Sequence, residues 1–127
     1  MSTREPVSFI ATADPDAMGA FYQDVLGLSL RESSPFALVF ADGAHTLRVQ
    51  IVESHAPAPF TAYGWVVTDM SAEIATLAAK GVAFLTFPHF DQDPSGVWAT
   101  PDGAKIAWFK DPSGNILSLT EFPRAGS

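Results

Sequence analysis

The chain has 127 residues, of which 47% are hydrophobic, and its 14 acidic and 7 basic side chains give a net charge of −7 at pH 7. This charge repels both a phosphate backbone and an anionic lipid surface, so we expect neither nucleic acid nor a membrane as a partner. The sequence contains no cysteine, which excludes disulfides, thiolate metal sites and a thiol nucleophile.

The first half of the sequence predicts a βαβββ module over residues 7–53. Residues 7–11 alternate like a strand, and Asp14 and Pro15 then provide a helix N-cap and the residue that best suits the first helical position. Gly27 can adopt the left-handed conformation in which helices commonly end. Three further strands are predicted at residues 28–33, 36–41 and 46–53, with Asp42-Gly43 as a hairpin turn.

A connector at residues 54–61 precedes a second module of the same pattern, which covers residues 62–122. It begins with a strand at residues 63–68 and continues with a helix that is capped by Asp69 or Ser71. Further strands are predicted at residues 82–86, 97–100, 105–109 and 116–121, with a loop at residues 87–96.

The repetition of a small module predicts the architecture. Neither module can cover its own sheet, so the two copies are expected to bury a common interior. We therefore predict an α+β fold in which two βαβββ modules form a cupped mixed sheet with helices on the outside, within a single domain at residues 1–127. No apolar run is long enough to span a bilayer, so we expect a cytoplasmic protein.

Two segments carry a family resemblance. Residues 21–28 read Phe-Tyr-Gln-Asp-Val-Leu-Gly-Leu, and residues 108–119 read Trp-Phe-Lys-Asp-Pro-Ser-Gly-Asn-Ile-Leu-Ser-Leu. In this order they resemble the helix-to-strand signature and the C-terminal turn of the vicinal oxygen chelate (VOC) superfamily, which includes glyoxalase I, extradiol dioxygenases, and fosfomycin and bleomycin resistance proteins. The resemblance covers essentially the whole chain, and it implies the glyoxalase/bleomycin resistance/dioxygenase fold and a homodimer.

The resemblance also implies where a divalent metal would be held. Enzymes of the superfamily usually use His and Glu side chains that point into each half of the cup. The matching positions here are Val7, Gln50, Ala62 or Tyr63, and Ser118, and none of them suits a divalent ion. The three histidines lie in a turn, a connector and a loop, at His45, His55 and His89. We therefore expect no metal and no other cofactor.

The inward rows of the predicted cup indicate a site for a small organic molecule. If Gln50 faces inward, strand alternation places Arg48 on the same face, where it either anchors a carboxylate or phosphonate or pairs with an acidic neighbour. The resemblance to drug-binding members implies that Trp65 and Trp98 stack on a planar or cationic ligand, whereas Trp108 is assigned to packing. The predicted ligand-binding residues are Phe9, Arg48, Gln50, Tyr63, Trp65, Trp98 and Ser118.

These observations leave three hypotheses, and whether the protein is an enzyme stays open at this point. The leading one is a metal-free binding protein of the bleomycin-resistance type that holds an aromatic or cationic molecule in the cup. The alternative is a divergent glyoxalase-like lyase or isomerase, or a dioxygenase, with a relocated metal or with Tyr63, His89 or Asp91 as acid or base. The third is an accessory module whose sheet edge and aromatic residues bind a protein partner.

Overall fold

In a computed structural model, which describes residues 4–123, the chain forms two four-stranded mixed sheets, each accompanied by one helical segment. This arrangement confirms the predicted α+β fold with two modules. Residues 1–3 and 124–127 of the predicted domain lie outside the described residues. Within the part that is described, no helix is both long and apolar enough to cross a membrane.

The chain divides into two compact units. The first unit ends at Pro57 and also takes in Asp111–Asn115, whereas the second contains Ala58–Lys110 and the described residues from Ile116 onward. The boundary after Pro57 falls inside the predicted connector. That both units belong to a single domain stays a prediction.

The first unit contains four strands and one continuous helical segment. Helix α1 (Pro15–Ala20) begins at the N-cap Asp14, whose side chain accepts a hydrogen bond from the Ala17 N–H at 3.2 Å, and it continues as a π-helical turn at Phe21–Val25. The strands are β1 (Val7–Thr12), β2 (Ser29–Ser33), β3 (Ala37–Asp42) and β4 (His45–Ile51), in the order β1-β4-β3-β2.

The second unit repeats this strand order with a shorter edge strand. Helix α2 (Met70–Ala79) begins at the N-cap Asp69, whose side chain accepts a hydrogen bond from the Ala72 N–H at 3.1 Å. The strands are β5 (Thr61–Val66), β6 (Trp98–Ala99), β7 (Lys105–Lys110) and β8 (Ile116–Glu121), in the order β5-β8-β7-β6. The strand predicted at residues 82–86 is wrong, because this stretch forms only an isolated bridge between Phe84 and Phe109.

Each sheet has a packed face, which its helix covers, and an open face on the opposite side. In the first unit the rings of Tyr22 and Phe40 lie 5.6 Å apart, which places the helical segment on the face that also carries Leu47 and Val49. These four side chains are fully buried. The prediction that Leu47 and Val49 pack under the helix is confirmed.

The second sheet is packed in the same way. At the start of α2 the Met70 N–H donates to Glu121 Oε1 at 2.7 Å, so α2 lies on the face that Glu121 shares with Leu117 and Leu119. Leu117 and Leu119 are buried, as predicted. Burying an aliphatic side chain of this size contributes about 1.5–3 kcal/mol, so this row holds the helix to its sheet.

A buried carboxylate organises the Asp111–Asn115 turn within the first unit. One oxygen of Asp111 accepts hydrogen bonds from the Tyr22 hydroxyl at 2.8 Å and from the Asn115 side-chain N–H at 2.9 Å. The other oxygen accepts from the backbone N–H groups of Ser113 and Asn115 at 2.9 and 3.0 Å. Asp111 is only 5% exposed, and these four donors replace the water that a buried carboxylate has lost.

Asn115 extends this network to a histidine. Its side-chain N–H groups donate to Asp111 and to the Ala11 carbonyl oxygen, the latter at 3.0 Å. The amide oxygen therefore serves as the acceptor for His55 Nε2 at 2.8 Å, which fixes the proton on that nitrogen. The histidine that was expected in a connector thus has a structural role in the first unit.

Candidate ligand-binding faces

The open face of the first sheet carries three of the residues that were predicted to line the cup. Strands β1 and β4 pair in parallel, with Phe9 beside Arg48 and Ala11 beside Gln50. Paired residues point to the same face, so Phe9, Arg48 and Gln50 share the open face, as predicted. Phe9 is 57% exposed, Gln50 is exposed and Arg48 is half-buried. Little covers this face.

The Arg48 guanidinium has neither an ion pair nor a hydrogen bond within residues 4–123. Of the two alternatives for Arg48, pairing with an acidic neighbour is not found within residues 4–123, where its neighbours in register are Phe9 on β1 and Val39 on β3. A half-buried charge without a partner is unfavourable. The guanidinium is therefore available to an anionic group from outside the described chain.

The open face of the second sheet is aromatic. The register places Trp108 beside Ser118 and Trp98 beside Ile106, while Ile106 in turn lies beside Thr120. Trp98, Trp108 and Ser118 therefore lie on one face, opposite to the buried leucines of β8. Trp98 and Ser118 are placed as predicted. Trp108, which the sequence assigned to packing, belongs to the same face.

Tyr63 and Trp65 do not share this open face. Strand β5 pairs with β8 so that Tyr63 lies beside Leu117 and Trp65 beside Leu119, on the packed face. There the Trp65 ring lies nearly parallel to Phe109, at 7° and 6.4 Å between ring centroids. The prediction that Tyr63 and Trp65 point into the cup is wrong, because the row with more apolar area is the one that packs.

Gly64 is the residue of β5 that lies beside Ser118 on the open face. A Cβ atom on Gly64 would lie 2.6 Å from Ser118 Oγ and 2.7 Å from the Ser118 carbonyl oxygen. The two backbones approach too closely here for any side chain. The Ser118 hydroxyl thus lies against bare backbone, where it is half-buried.

Four rings form a cluster on the open face of the second sheet, which we call the aromatic cluster: Phe87, Phe90, Trp98 and Trp108. The Phe90 ring lies parallel to Trp108, at 3° and 5.2 Å between centroids, and stacks on Trp98 at 28° and 4.4 Å. Phe87 stands edge-on to Trp108 at 89° and 5.2 Å. These are the geometries that aromatic rings prefer. All four rings are half-buried, so the cluster remains accessible to solvent.

Gln92 fixes the loop that supplies Phe87 and Phe90. Its side-chain oxygen accepts a hydrogen bond from the Phe87 N–H at 2.6 Å. Its side-chain nitrogen donates to the carbonyl oxygens of Leu85 and Gly96 at 2.9 and 2.8 Å. One side chain therefore ties together the beginning, the middle and the end of the loop.

Asp93 fixes the end of the same loop. Its Oδ1 accepts hydrogen bonds from the Ser95 hydroxyl at 2.7 Å and from the Val97 N–H at 2.9 Å. These bonds stabilise the ionised carboxylate and lower the pKa of Asp93, with the Ser95 hydroxyl as the largest cause. The loop is thus a defined structure rather than a simple connection.

Phe87 and Phe90 were not among the ligand-binding residues predicted from the sequence, and Trp108 was assigned to packing. The position of Trp108 could have been found from the turn between β7 and β8. Lys110 and Ile116 pair across this five-residue turn, so the pair two residues further along each strand is Trp108 and Ser118. Phe90 has no such signal. It lies in a loop whose course depends on side-chain hydrogen bonds that periodicity does not reveal.

The residues at the implied metal positions do not fit a divalent ion. Val7 offers no ligand atom, Gln50 and Ser118 offer only neutral oxygens, and Ala62 lies at an irregularity in the β5 register. Between residues 4 and 123, no three His, Asp or Glu side chains lie close enough together to hold an ion. The residues present at the implied positions therefore do not support a divalent metal site.

The residues considered as acid or base do not converge either. Tyr63 lies on the packed face. His89 and Asp91 are exposed at the tip of the loop, where the His89 ring lies 4.4 Å from that of Phe90. General acid-base catalysis needs a positioned group within reach of a bound substrate. These three side chains define no such constellation.

A concavity of about 330 Å³ lies between the start of α2 and the loop. It is lined by Met70, Ser71, Asp91, Gln92, Asp93, Ser95, Val97, Ala99 and Lys105. Lys105 pairs with Glu121 at 3.8 Å, and the charged side chains of the lining are exposed. The lining contains no aromatic ring, so this cleft offers a planar ligand less contact than the aromatic cluster does.

Two βαβββ modules with the same strand order define a fold of the VOC type. A family model for the Glyoxalase/Bleomycin resistance protein/Dioxygenase superfamily matches residues 6–119. The chain therefore belongs to this superfamily, as the sequence resemblance implied. No curated protein matches the chain.

Solved structures share the fold at low sequence identity. Lactoylglutathione lyase from Agrobacterium tumefaciens is 20% identical, with a TM-score of 0.70 and 94% of each chain covered. A glyoxalase/bleomycin resistance protein/dioxygenase from Nocardioides is 17% identical, with a TM-score of 0.72, and the match covers 100% of this chain and 89% of that one. TnmS3, an antibiotic binding protein from Streptomyces sp. CB03234, is 21% identical, with a TM-score of 0.68 and coverages of 97% and 100%. At these identities the likeness concerns the fold alone.

Proposed function

We propose that the protein binds a small, flat aromatic molecule on the open face of its second sheet, without a metal ion. The observation that carries this proposal is the aromatic cluster, in which Trp98 and Trp108 are half-buried on a face that the helix leaves uncovered. Apolar surface with a few polar groups nearby is typical of small-molecule sites. The Ser118 hydroxyl beside Trp108 supplies one such group.

Charge favours a cationic ligand over an anionic one. The net charge of −7 attracts cations, and the face of an indole ring attracts them further. A protein of the same fold, TnmS3, is described as an antibiotic binding protein, which supports a binding role for such a surface. The homodimer and the cytoplasmic location expected from the sequence stay predictions, as does the absence of nucleic-acid and membrane partners.

The test compares two acridines of opposite charge on the intact protein. 9-Aminoacridine is cationic at neutral pH, whereas acridine-9-carboxylate has the same ring system and is anionic. We expect fluorescence anisotropy to show saturable binding of both, with the cation bound more tightly. Trp98→Leu, which removes one stacking face but keeps apolar bulk, is expected to weaken 9-aminoacridine binding by about tenfold.

Trp65→Leu is the matched control, because it removes an indole from the packed face of the same sheet. It is expected to lower the melting temperature but to leave the dissociation constant of the folded protein within about twofold. Circular dichroism verifies that each variant is folded. If the wild-type protein binds neither acridine, or if only Trp65→Leu weakens binding, the proposed function is wrong.

A further inference from the structure

We infer that the Phe90 ring occupies the position that the ligand takes when it binds. On this view the ligand is a fused-ring aromatic that displaces Phe90 from Trp98 and Trp108. The inference rests on the proposed function and deepens it, because it specifies the number of rings that the site selects. It also makes Phe90 a residue that opposes binding rather than one that contributes to it.

The geometry around Phe90 is that of a filled slot. Trp98 and Trp108 form its floor, with their rings 6.3 Å apart and inclined by 25°. Phe90 lies on both of them, and Phe87 stands perpendicular to Phe90, at 90° and 6.0 Å, as a wall. A ring that stacks on one side and meets an edge on another occupies the position that a bound aromatic group would choose.

The side-chain hydrogen bonds that fix the loop lie on either side of Phe90, whose own backbone N–H donates to the Phe87 carbonyl oxygen at 3.1 Å. Gln92 holds the loop at Phe87, Leu85 and Gly96, and Asp93 holds its last residues. Between these anchors, the side chains of His89 and Asp91 are exposed, and within residues 4–123 neither makes a hydrogen bond or an ion pair. Phe90 can therefore leave the indoles while the Gln92 and Asp93 bonds remain intact.

The exchange determines which ligands gain from binding. A single-ring ligand would replace the contacts of Phe90 by equivalent contacts and would gain little. A ligand with two or three fused rings can cover more of both indoles than one phenyl ring does. The stacking contacts that it gains therefore exceed the contacts that are lost when Phe90 is displaced. The slot consequently selects fused-ring aromatics against single rings.

The experiment uses two cations that differ in ring number. 9-Aminoacridine has three fused rings, and 4-aminopyridine is its single-ring counterpart. We expect the wild-type protein to bind 9-aminoacridine and to show no saturable shift of its indole N–H resonances with 4-aminopyridine. Phe90→Ala empties the slot, so 9-aminoacridine should bind about tenfold more tightly, equivalent to about 1.4 kcal/mol, and 4-aminopyridine should now bind measurably.

Phe36→Ala is the matched control, because Phe36 is 73% exposed and belongs to the first unit. It should leave both affinities within about twofold. Phe90→Leu, which keeps apolar bulk in the loop, should also tighten 9-aminoacridine binding. It replaces Phe90→Ala in the test if that variant does not fold.

The outcomes separate the inference from the proposed function. If the wild-type protein binds 9-aminoacridine but the Phe90 variants bind it equally or more weakly, Phe90 is part of the wall and the inference is overturned while the proposed function stands. If only the Phe90 variants bind, acridines do not displace Phe90 in the wild-type protein, and both the inference and the proposed function are overturned. If neither the wild-type protein nor the variants bind, both are overturned.

Discussion

The two sheets of this protein have the same strand order but very different open faces. On the first sheet, Phe9 is 57% exposed and the half-buried Arg48 has no partner within the described residues. On the second sheet, Trp98 and Trp108 are covered by Phe90 from the neighbouring loop. A repeated backbone plan can thus carry two distinct surfaces, one uncovered, with an exposed phenyl ring beside an arginine, and one aromatic and covered by a loop.

The difference arises in the stretch that follows each helix. In the first unit this stretch forms the five-residue edge strand β2, which pairs with β3. In the second unit it forms the loop at residues 87–96 and the two-residue strand β6. A strand at the edge keeps its own side chains in the sheet, whereas a loop can fold back over it. The second unit thus combines a shorter edge strand with a loop whose Phe90 ring covers the open face.

The units also differ in where they place their polar groups. The first unit buries a hydrogen-bonded carboxylate, Asp111, with Tyr22 and Asn115 as side-chain donors. The polar anchors of the second unit, Gln92 and Asp93, lie in a surface loop. Substitutions in the first network should therefore affect stability, and substitutions of the loop anchors Gln92 and Asp93 should affect the aromatic cluster.

The largest effect on stability is expected from Asp111→Asn. An amide at this position retains one acceptor oxygen but turns an NH₂ group toward two N–H or O–H donors, so two buried donors lose their partner. The expected cost is about 3 kcal/mol, or a fall in melting temperature of roughly 10 °C. Thermal unfolding monitored by circular dichroism measures it.

Asp91→Asn is the control for this substitution, because the Asp91 side chain is exposed and makes no hydrogen bond or ion pair within residues 4–123. Its effect should stay within about 0.5 kcal/mol. Equal losses in the two variants would show that the buried network does not stabilise the first unit in the way described here.

The sequence predicted the fold in most of its elements because the fold depends on local signals. The caps Asp14 and Asp69 and the buried rows of Leu47, Leu117 and their neighbours all follow from side-chain chemistry and alternation. The strand predicted at residues 82–86 was wrong for a physical reason. Its apolar residues suit a strand, but the chain continues there into a loop that Gln92 holds by side-chain hydrogen bonds, which alternation does not reveal.

The candidate site was less predictable than the fold. Phe9, Arg48 and Gln50 were correctly placed on one face, since pairing within the first sheet follows from simple alternation. Tyr63 and Trp65 were placed on the wrong face, because alternation leaves open which of two rows meets the helix. The pairing with β8, which has an irregularity after Thr61, places the row with the larger apolar area on the packed face.

A smaller effect is expected from Arg48→Gln, which tests whether the open face of the first sheet recognises anions. A guanidinium can donate two parallel hydrogen bonds to a phosphonate or carboxylate, whereas the amide of Gln carries no charge. Phenylphosphonate binding, followed by NMR shifts of the β4 amides, should weaken about fivefold. Arg31→Gln, at an exposed position on β2, should leave it unchanged. Equal weakening in both variants would indicate unspecific attraction instead of recognition by Arg48.

The smallest effect is expected when the pH is lowered and the Asp93 carboxylate of the loop is protonated. The pKa of Asp93 lies below its ordinary value because the ionised carboxylate accepts hydrogen bonds from Ser95 and Val97. A group with a lowered pKa stabilises the folded state above its unfolded pKa, and this contribution is lost as the pH falls through the folded pKa. The loop anchor should therefore hold at neutral pH and weaken only in acid, below the ordinary Asp value of 3.8.

A carboxyl ¹³C titration by NMR measures this pKa directly. Ser95→Ala removes the largest cause of the shift, so it should raise the pKa of Asp93 toward the ordinary value. Because Asp93 is exposed, solvent weakens the effect on global stability, and the change should appear mainly in the local resonances of the loop. An Asp93 pKa that is already ordinary in the wild-type protein would mean that the Asp93 bonds are too weak to fix the end of the loop. The covered face would then depend on ring stacking and Gln92 alone.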